Sequence, residues 1–278
     1  MRRGRGVEVR IRLSTILGRD RYPGHMPGFI GPLHAELALT TALANTGGPW
    51  RYVLCNPAGM PTKTGPLRTR PTGAPRTGAG TVEIQVDTRL LDELAQDPDQ
   101  AGPWAPLIRE LLKHAAAPPD DHGRDRGKRL PGQGLRRFIY VRDRECVFPG
   151  CRIPAHHTDL DHTDDYGNGG VTAEENLAPA CRHDHRLKHE AGWRLEQPRP
   201  GHLRWTSRLG KIYDTHPKPV ITPMPDPIPA DPRDRTYDIS RPDGDDILPP
   251  QPAEEPQTPR PPPPAAPPTT VDDEEPPF

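Results

Sequence analysis

The stretch TDLDHTDDYGNGGVTAEENLAPACRHDHRLKHEAGW, residues 158–193, holds four of the chain's twelve histidines and one of its four cysteines. Two more cysteines, Cys146 and Cys151, stand just upstream. Packing does not ask for such a gathering of polar, ligating side chains. The segment around it, about 130 to 216, buries little apolar surface, and domains of this size often need a metal to hold them together. The first constraint on the fold is therefore a small module organised by side-chain ligands.

The rest of the chain is bounded by composition. Only 32% of the 278 residues are hydrophobic and 5% aromatic, against 41 prolines, too few apolar residues to core the whole length. Twenty of those prolines lie in the last 60 residues, where 13 Asp/Glu face 4 Lys/Arg. Proline removes backbone donors and like charges repel, so residues 217–278 are expected to be a disordered, acidic tail. The net charge of −9 on those last 60 residues leaves residues 1–218 at +8, a balance that suits a polyanionic partner. No run approaches 18 apolar residues, and the basic N-terminus lacks the apolar core of a signal peptide; no membrane partner and a cytoplasmic location are expected. Four cysteines are not a secreted disulfide framework, so metal ligation or buried thiols are the readings that remain.

Ahead of the ligand-rich module, VEVRIRLSTIL alternates as a half-buried strand, PLHAELALTTALAN reads as a helix, and TGGPWRYVLCNPAGMP as a strand running into a turn at Pro57 and Gly59. Residues 61–134 read as a Pro/Gly/Thr-rich linker carrying a strand that leads into a short helix (TVEIQVDTRLLDELAQ) and a second helix (APLIRELLKHAAA). Cys55, alone on an apolar strand, reads as structural filling. Within 135–216, LRRFIYVRDRE is a short basic helix and TDLDH a strand. ENLAPACRHDHRLKHEAG reads as a helix opened by Asn176, and WRLEQPRPGHLRWTS as a hairpin.

Two sets of side chains carry chemistry. Cys146 and Cys151 flank a Pro-Gly turn, and Cys181 precedes Asp184 by three positions on a helix face, so the four can surround one tetrahedral zinc ion. Three buried thiols without metal are the alternative. Asp161 offers an oxygen to a hard divalent cation, and His162 a base of near-neutral pKa for a water that attacks phosphorus. His185, one position beyond Asp184, points away from the zinc side and is a candidate second ligand to that cation. Asn176 can cap backbone donors or pin the loop that carries the base.

The ordered set DLDH…GNGGVTAEENLAPACRHDHRLKH resembles the HNH endonuclease motif. With RDRECVFPGC ahead of it and GW after it, it is similar to the HNH module that ends a group of actinobacterial proteins carrying a preceding domain of unknown function. The resemblance covers residues 135–216, and residues 1–60 are similar to the end of that preceding domain, as in a truncated copy or a late start. It implies an α+β fold: a zinc-stapled ββα-metal module, preceded by a partial α/β region. It also implies metal-dependent hydrolysis of DNA, with His162 as general base, Asn176 ordering the loop, Asp161 and His185 on Mg2+ or Mn2+, and the three cysteines on Zn2+. Arg182, Arg186 and Lys188 on the same helix are then candidates for phosphate contacts, or an ordinary solvated face. Asp184 departs from the Cys or His that often stands at its position. The alternative function is a zinc-stapled nucleic-acid-binding module whose nuclease site no longer works.

Overall fold

Alternation of apolar and charged residues gives VEVRIRL and TVEIQVD one face for a core and one for a partner. The computed structural model describes residues 7–27, 31–118 and 122–222; the proline-rich stretch 223–278, expected to be disordered, lies outside the described residues. The first half runs β1 (Glu8–Arg12), α1 (Leu13–Ile16), β2 (Gly24–Met26), β3 (Gly31–Leu33), α2 (Ala35–Leu43), β4 (Trp50–Cys55), β5 (Pro61–Leu67), β6 (Thr81–Asp87), α3 (Thr88–Leu94) and α4 (Ala105–Ala116). Its six strands form one sheet in the order β3-β2-β1-β6-β4-β5. β6 lies parallel to both β1 and β4, and the remaining pairs are antiparallel.

One face of this sheet is apolar. Val9, Ile11, Val82, Ile84 and Val86 pack with Leu91, Leu107, Ile108 and Leu111 of the helices into a single buried core. The opposite face presents Glu8, Arg10, Arg51 and Glu83 beside Val53 and Cys55, and it is covered by the second half of the molecule. Cys55 is buried there as filling, against Val53 and Val141.

No break in the sheet falls at residue 60, where the sequence suggests that a linker begins. β5 pairs along the whole of β4, and β6 is an interior strand of the sheet. β5 escapes an alternation test because its inward positions include Lys63 and Gly65. Lys63 caps the end of α4 through the carbonyls of His114 (2.8 Å) and Ala117 (2.6 Å), and Gly65 leaves room for the Tyr52 ring.

The second half comprises α5 (Gln133–Asp143), β7 (Asp159–His162), β8 (Leu177–Ala180), α6 (Arg182–Glu190), β9 (Arg194–Arg199), β10 (His202–Thr206) and β11 (Ile212–Thr215). β7 and β8 form an antiparallel pair, α6 follows directly, and β9, β10 and β11 form a separate three-stranded sheet. The molecule is thus mixed α+β, with a ββα unit at its C-terminal side. The helix expected from Glu175 onward is shorter than the sequence suggests. Leu177–Ala180 is a fully buried strand, and helix begins only after Cys181, whose backbone is extended. Pro179 explains the difference: inside a helix it would remove a hydrogen bond and clash with the preceding turn, whereas a short edge strand tolerates it.

The halves meet through α5. Val141 packs on Val53 and Cys55, and Arg144 donates to both oxygens of Glu83 at 2.7 and 2.9 Å. Arg144 closes α5 with φ 62, a left-handed conformation uncommon outside glycine, which aims its guanidinium at the sheet. Burial pushes the Glu83 carboxyl up, but Arg144 and Arg10 outweigh it and hold the group at about 2. The chain then returns to the sheet: Val220 and Ile221 donate backbone bonds to the Gly59 carbonyl and pack with Val53. Gly59 has φ +75, and a Cβ there would lie 1.8 Å from the Ile221 carbonyl oxygen. The tail expected from residue 217 therefore begins with a short segment anchored on the sheet.

Candidate metal centre and catalytic cleft

α6 serves two sites because adjacent helical residues point about 100° apart. Cys181 and Asp184 turn toward the knuckle that carries Cys146 and Cys151. The four ligand atoms lie within 4.8 Å of one another, and three of the residues are buried. Asp184 Oδ2 accepts from the thiols of Cys146 (3.2 Å) and Cys181 (3.0 Å), while its Oδ1 is held by exposed His183 at 2.7 Å. His183 therefore orients the carboxylate from outside. Burial pushes the Cys146 and Cys151 thiols up. Burial opposes ionisation of Asp184 as well, but hydrogen bonds from Cys181, His183, Cys146 and Cys151 hold it below its ordinary value. No two of these cysteines are joined by a disulfide. The cluster could hold a metal ion: three sulfurs and one carboxylate oxygen have the number and softness of a tetrahedral site.

The other side of α6 faces an open cleft of about 890 Å³. Asp161 on β7 sits at its base, 6% exposed. Its Oδ1 lies 3.1 Å from His185 Nε2 and 3.6 Å from His189 Nε2, and these three residues form a second group whose ligand atoms fall within 4.8 Å. Its Oδ2 accepts from Lys188 Nζ at 3.0 Å. Burial raises the Asp161 carboxyl, but His185 and Lys188 more than offset it, so the group stays below its ordinary value. His185 is raised in turn, first by its hydrogen bond to Asp161. Asp159, two residues earlier on the same strand face, reaches His185 Nδ1 at 3.5 Å and so turns Nε2 toward Asp161.

His162 stands beside this group, half-buried, with Nε2 2.7 Å from the Thr172 hydroxyl. That hydroxyl spends its one proton on the Lys128 carbonyl. Its oxygen therefore accepts from His162 Nε2–H, which leaves the imidazole lone pair on Nδ1. Burial lowers the His162 pKa, Lys188 adds to the effect, and Asp161 opposes it. The ring is accordingly neutral near pH 7 and able to accept a proton.

Asn176 is buried at the foot of the loop between β7 and β8. Its Oδ1 accepts from Asp164 N–H (2.7 Å), and its Nδ2 donates to the carbonyls of Asp164 (3.0 Å) and Val171 (2.9 Å). It caps no helix; it ties the loop's two ends together. The Gly169-Gly170 pair lets the loop close, since a Cβ on Gly170 would lie 1.8 Å from the Asp164 carbonyl oxygen.

The three basic residues of α6 separate. Arg182 is exposed, and Arg186 is paired with Glu190 at 2.9 Å on the solvent side. Lys188 is turned inward, bonded to Asp161 and to the His162 carbonyl, so it braces β7 instead of reaching outward. Three contributors escape the sequence reading: His189, Asp159 and Thr172. For His189 a signal exists, because residues at i and i+4 share a helix face and His185 is four positions before it. Thr172 carries no such signal. Its partner Lys128 lies in the polar stretch before α5, which also bonds Tyr166 through the Gly127 carbonyl (3.0 Å) and forms a wall of the cleft with Arg129, Leu130 and Pro131.

Residues 146–191 match the HNH endonuclease family profile. The chain is 34% identical over 153 residues to Uncharacterized protein Rv2100 of Mycobacterium tuberculosis, covering 47% of this chain and 28% of that protein. It is 40% identical over 119 residues to Uncharacterized protein Rv3776 of the same organism, covering 41% and 22% respectively. With Mb1179c of Mycobacterium bovis the identity is 35% over 78 residues, 28% of this chain and 17% of the relative. The matched region thus spans about a quarter of the length of these curated relatives. No solved structure matches the chain. Among the described residues no helix is long and apolar enough to cross a membrane. The segment that matches the HNH endonuclease profile, in the C-terminal part of the chain, contains the ββα unit and the residues of both ligand clusters.

Proposed function

We propose that the protein is a metal-dependent endonuclease that hydrolyses phosphodiester bonds of DNA in the cleft between β7, α6 and α5. The observation that carries this reading is the pairing of a neutral imidazole, lone pair on Nδ1, with a carboxylate–diimidazole group beside it in one open cleft. Asp161, His185 and His189 would hold the catalytic cation. Two imidazoles and one carboxylate oxygen suit a transition ion such as Mn2+ better than Mg2+, which prefers oxygen donors. When bound, such an ion supplies Lewis-acid stabilisation of the charge that develops on the phosphate and the leaving oxygen.

The chain's own residues do the remaining work. His162 Nδ1 takes a proton from the attacking water, worth roughly 10²–10⁴-fold in rate. Thr172 and the Lys128 carbonyl fix the tautomer that makes Nδ1 the acceptor. Asn176 holds the loop, Lys188 braces Asp161 and the His162 carbonyl, and Asp159 orients His185. Cys146, Cys151, Cys181 and Asp184 would hold a structural Zn2+ that fixes α6 against the knuckle. Purified protein should nick or linearise supercoiled plasmid with Mn2+ or Mg2+ and lose that activity in EDTA. Failure to cut with any divalent cation, by protein that still binds DNA, would leave a zinc-stapled binding module in its place.

A further inference from the structure

We infer that the arginine-lined cavity between the sheet and α5 is a second phosphate subsite, through which the sheet holds nucleic acid running out of the cleft; this rests on the nuclease reading above. The cavity has a volume of about 420 Å³. Ligand sites commonly fall within ~300–1,000 Å³. Five arginines line it, against two glutamates. Both carboxylates are already engaged, Glu83 with Arg144 and Glu8 with Arg10. Among the described residues, Arg51 on β4 and Arg136 on α5 have no carboxylate partner. The cavity therefore carries a surplus of fixed positive charge and no anion of its own to answer it. Guanidinium groups present planar forks of donors that match phosphate oxygens, which makes them a phosphate-binding set.

The cavity adjoins the catalytic cleft at Arg136, which lines both; Arg129 lines the cleft and Arg137 the cavity. Gln133, Arg136, Arg137, Tyr140 and Arg144 recur at helical spacing, so one face of α5 walls the cavity and meets the cleft at Arg136. From Gln133 to Arg144 that face extends about 16 Å at a rise of ~1.5 Å per residue. A duplex rises ~3.4 Å per nucleotide of each strand, so the wall spans roughly five nucleotides. A strand whose scissile phosphate lies beside His162 would then meet Arg136 and, beyond it, Arg51. The occupant is the sugar–phosphate backbone, read by charge and not by sequence.

The test is binding of a fluorescent duplex of about 24 base pairs with no added Mg2+ or Mn2+ and no chelator, followed by anisotropy across a salt series, so that cleavage plays no part and the cysteine cluster keeps its metal. Arg51→Gln should raise Kd roughly 3- to 10-fold and lower the slope of log Kd against log salt by about 1, while Arg51→Lys keeps the wild-type slope. Melting temperatures of both variants near wild type show that the sheet is intact. Wild-type Kd and slope in a folded Arg51→Gln protein overturn the subsite and leave the nuclease reading standing. A wild-type protein that binds no duplex overturns both.

Discussion

The two halves of the molecule are held together by different physics. The sheet half has a single continuous core of nineteen buried residues, with β1, β6 and β4 each giving alternate side chains to it. The HNH half has two separate apolar clusters of only five and four buried residues, one around Trp205 and one around Ile139. Many of its other buried groups are candidate ligands and hydrogen-bonding side chains, among them Asp161, Thr172, Asn176, Cys146, Cys181 and Asp184. The first half is stabilised chiefly by apolar area removed from water. The second depends on directional contacts that also define its chemistry. Substitutions in its interior therefore affect fold and function together, whereas those in the apolar core of the sheet half should act through stability alone.

The largest expected effect comes from removing the staple. Cys181→Ala, or prolonged chelation, should unfold residues 145–206 and leave the sheet folded, because zinc binding supplies about 10–16 kcal/mol in small zinc domains. Hydrogen exchange resolved along the chain would show protection lost in the HNH half and retained in β1, β4 and β6. Equal protection in both halves, with and without metal, would erase the contrast.

Next is the ion pair that joins the halves. Glu83→Gln leaves Arg144 buried without its partner carboxylate, and breaking a buried pair costs roughly 3–5 kcal/mol. The pH dependence follows from the direction of the shift. The folded-state value of about 2 lies below the ordinary 4.5, so the pair's contribution is present in full above pH 4.5 and is lost as pH falls toward 2. Acid titration of stability should therefore be steeper for wild type than for Glu83→Gln across that window. Parallel curves would show that the halves do not depend on this contact.

A smaller effect is expected at Asn176. Asn176→Ala strips partners from the Asp164 N–H and from the Asp164 and Val171 carbonyls, at roughly 1–3 kcal/mol for each buried group left unsatisfied. Melting temperature and cleavage rate should fall together, since the same loop supports His162. A fall in one without the other would separate scaffold from site at this residue.

How far each half was legible in the sequence follows the same divide. Period-two alternation revealed β1 and β6 because their core is built from apolar side chains. β5 was hidden because Lys63 and Gly65 stand at inward positions, where burial depends on α4 and Tyr52. In the HNH half, ligand spacing brought Cys146, Cys151, Cys181 and Asp184 together, and likewise Asp161 with His185. It did not show that β8 precedes α6, because LAPA, read in series with the helix that follows, carries no strand period. Nor could it show Thr172 beside His162 or Lys188 turned inward, since both depend on how the loop folds back over β7 and the stretch before α5.

The central claim is that His162, set beside the Asp161, His185 and His189 group, is the base of a phosphodiester hydrolysis. The most direct measurement is the single-turnover cleavage rate of plasmid DNA by His162→Ala against wild type, at saturating protein and Mn2+. Metal content and melting temperature should be measured on both proteins. The expected result is a rate lowered by roughly 10²–10⁴-fold, with fold and metal content unchanged, because the imidazole acts on water and holds no metal. A His162→Ala protein that cuts at the wild-type rate would contradict it.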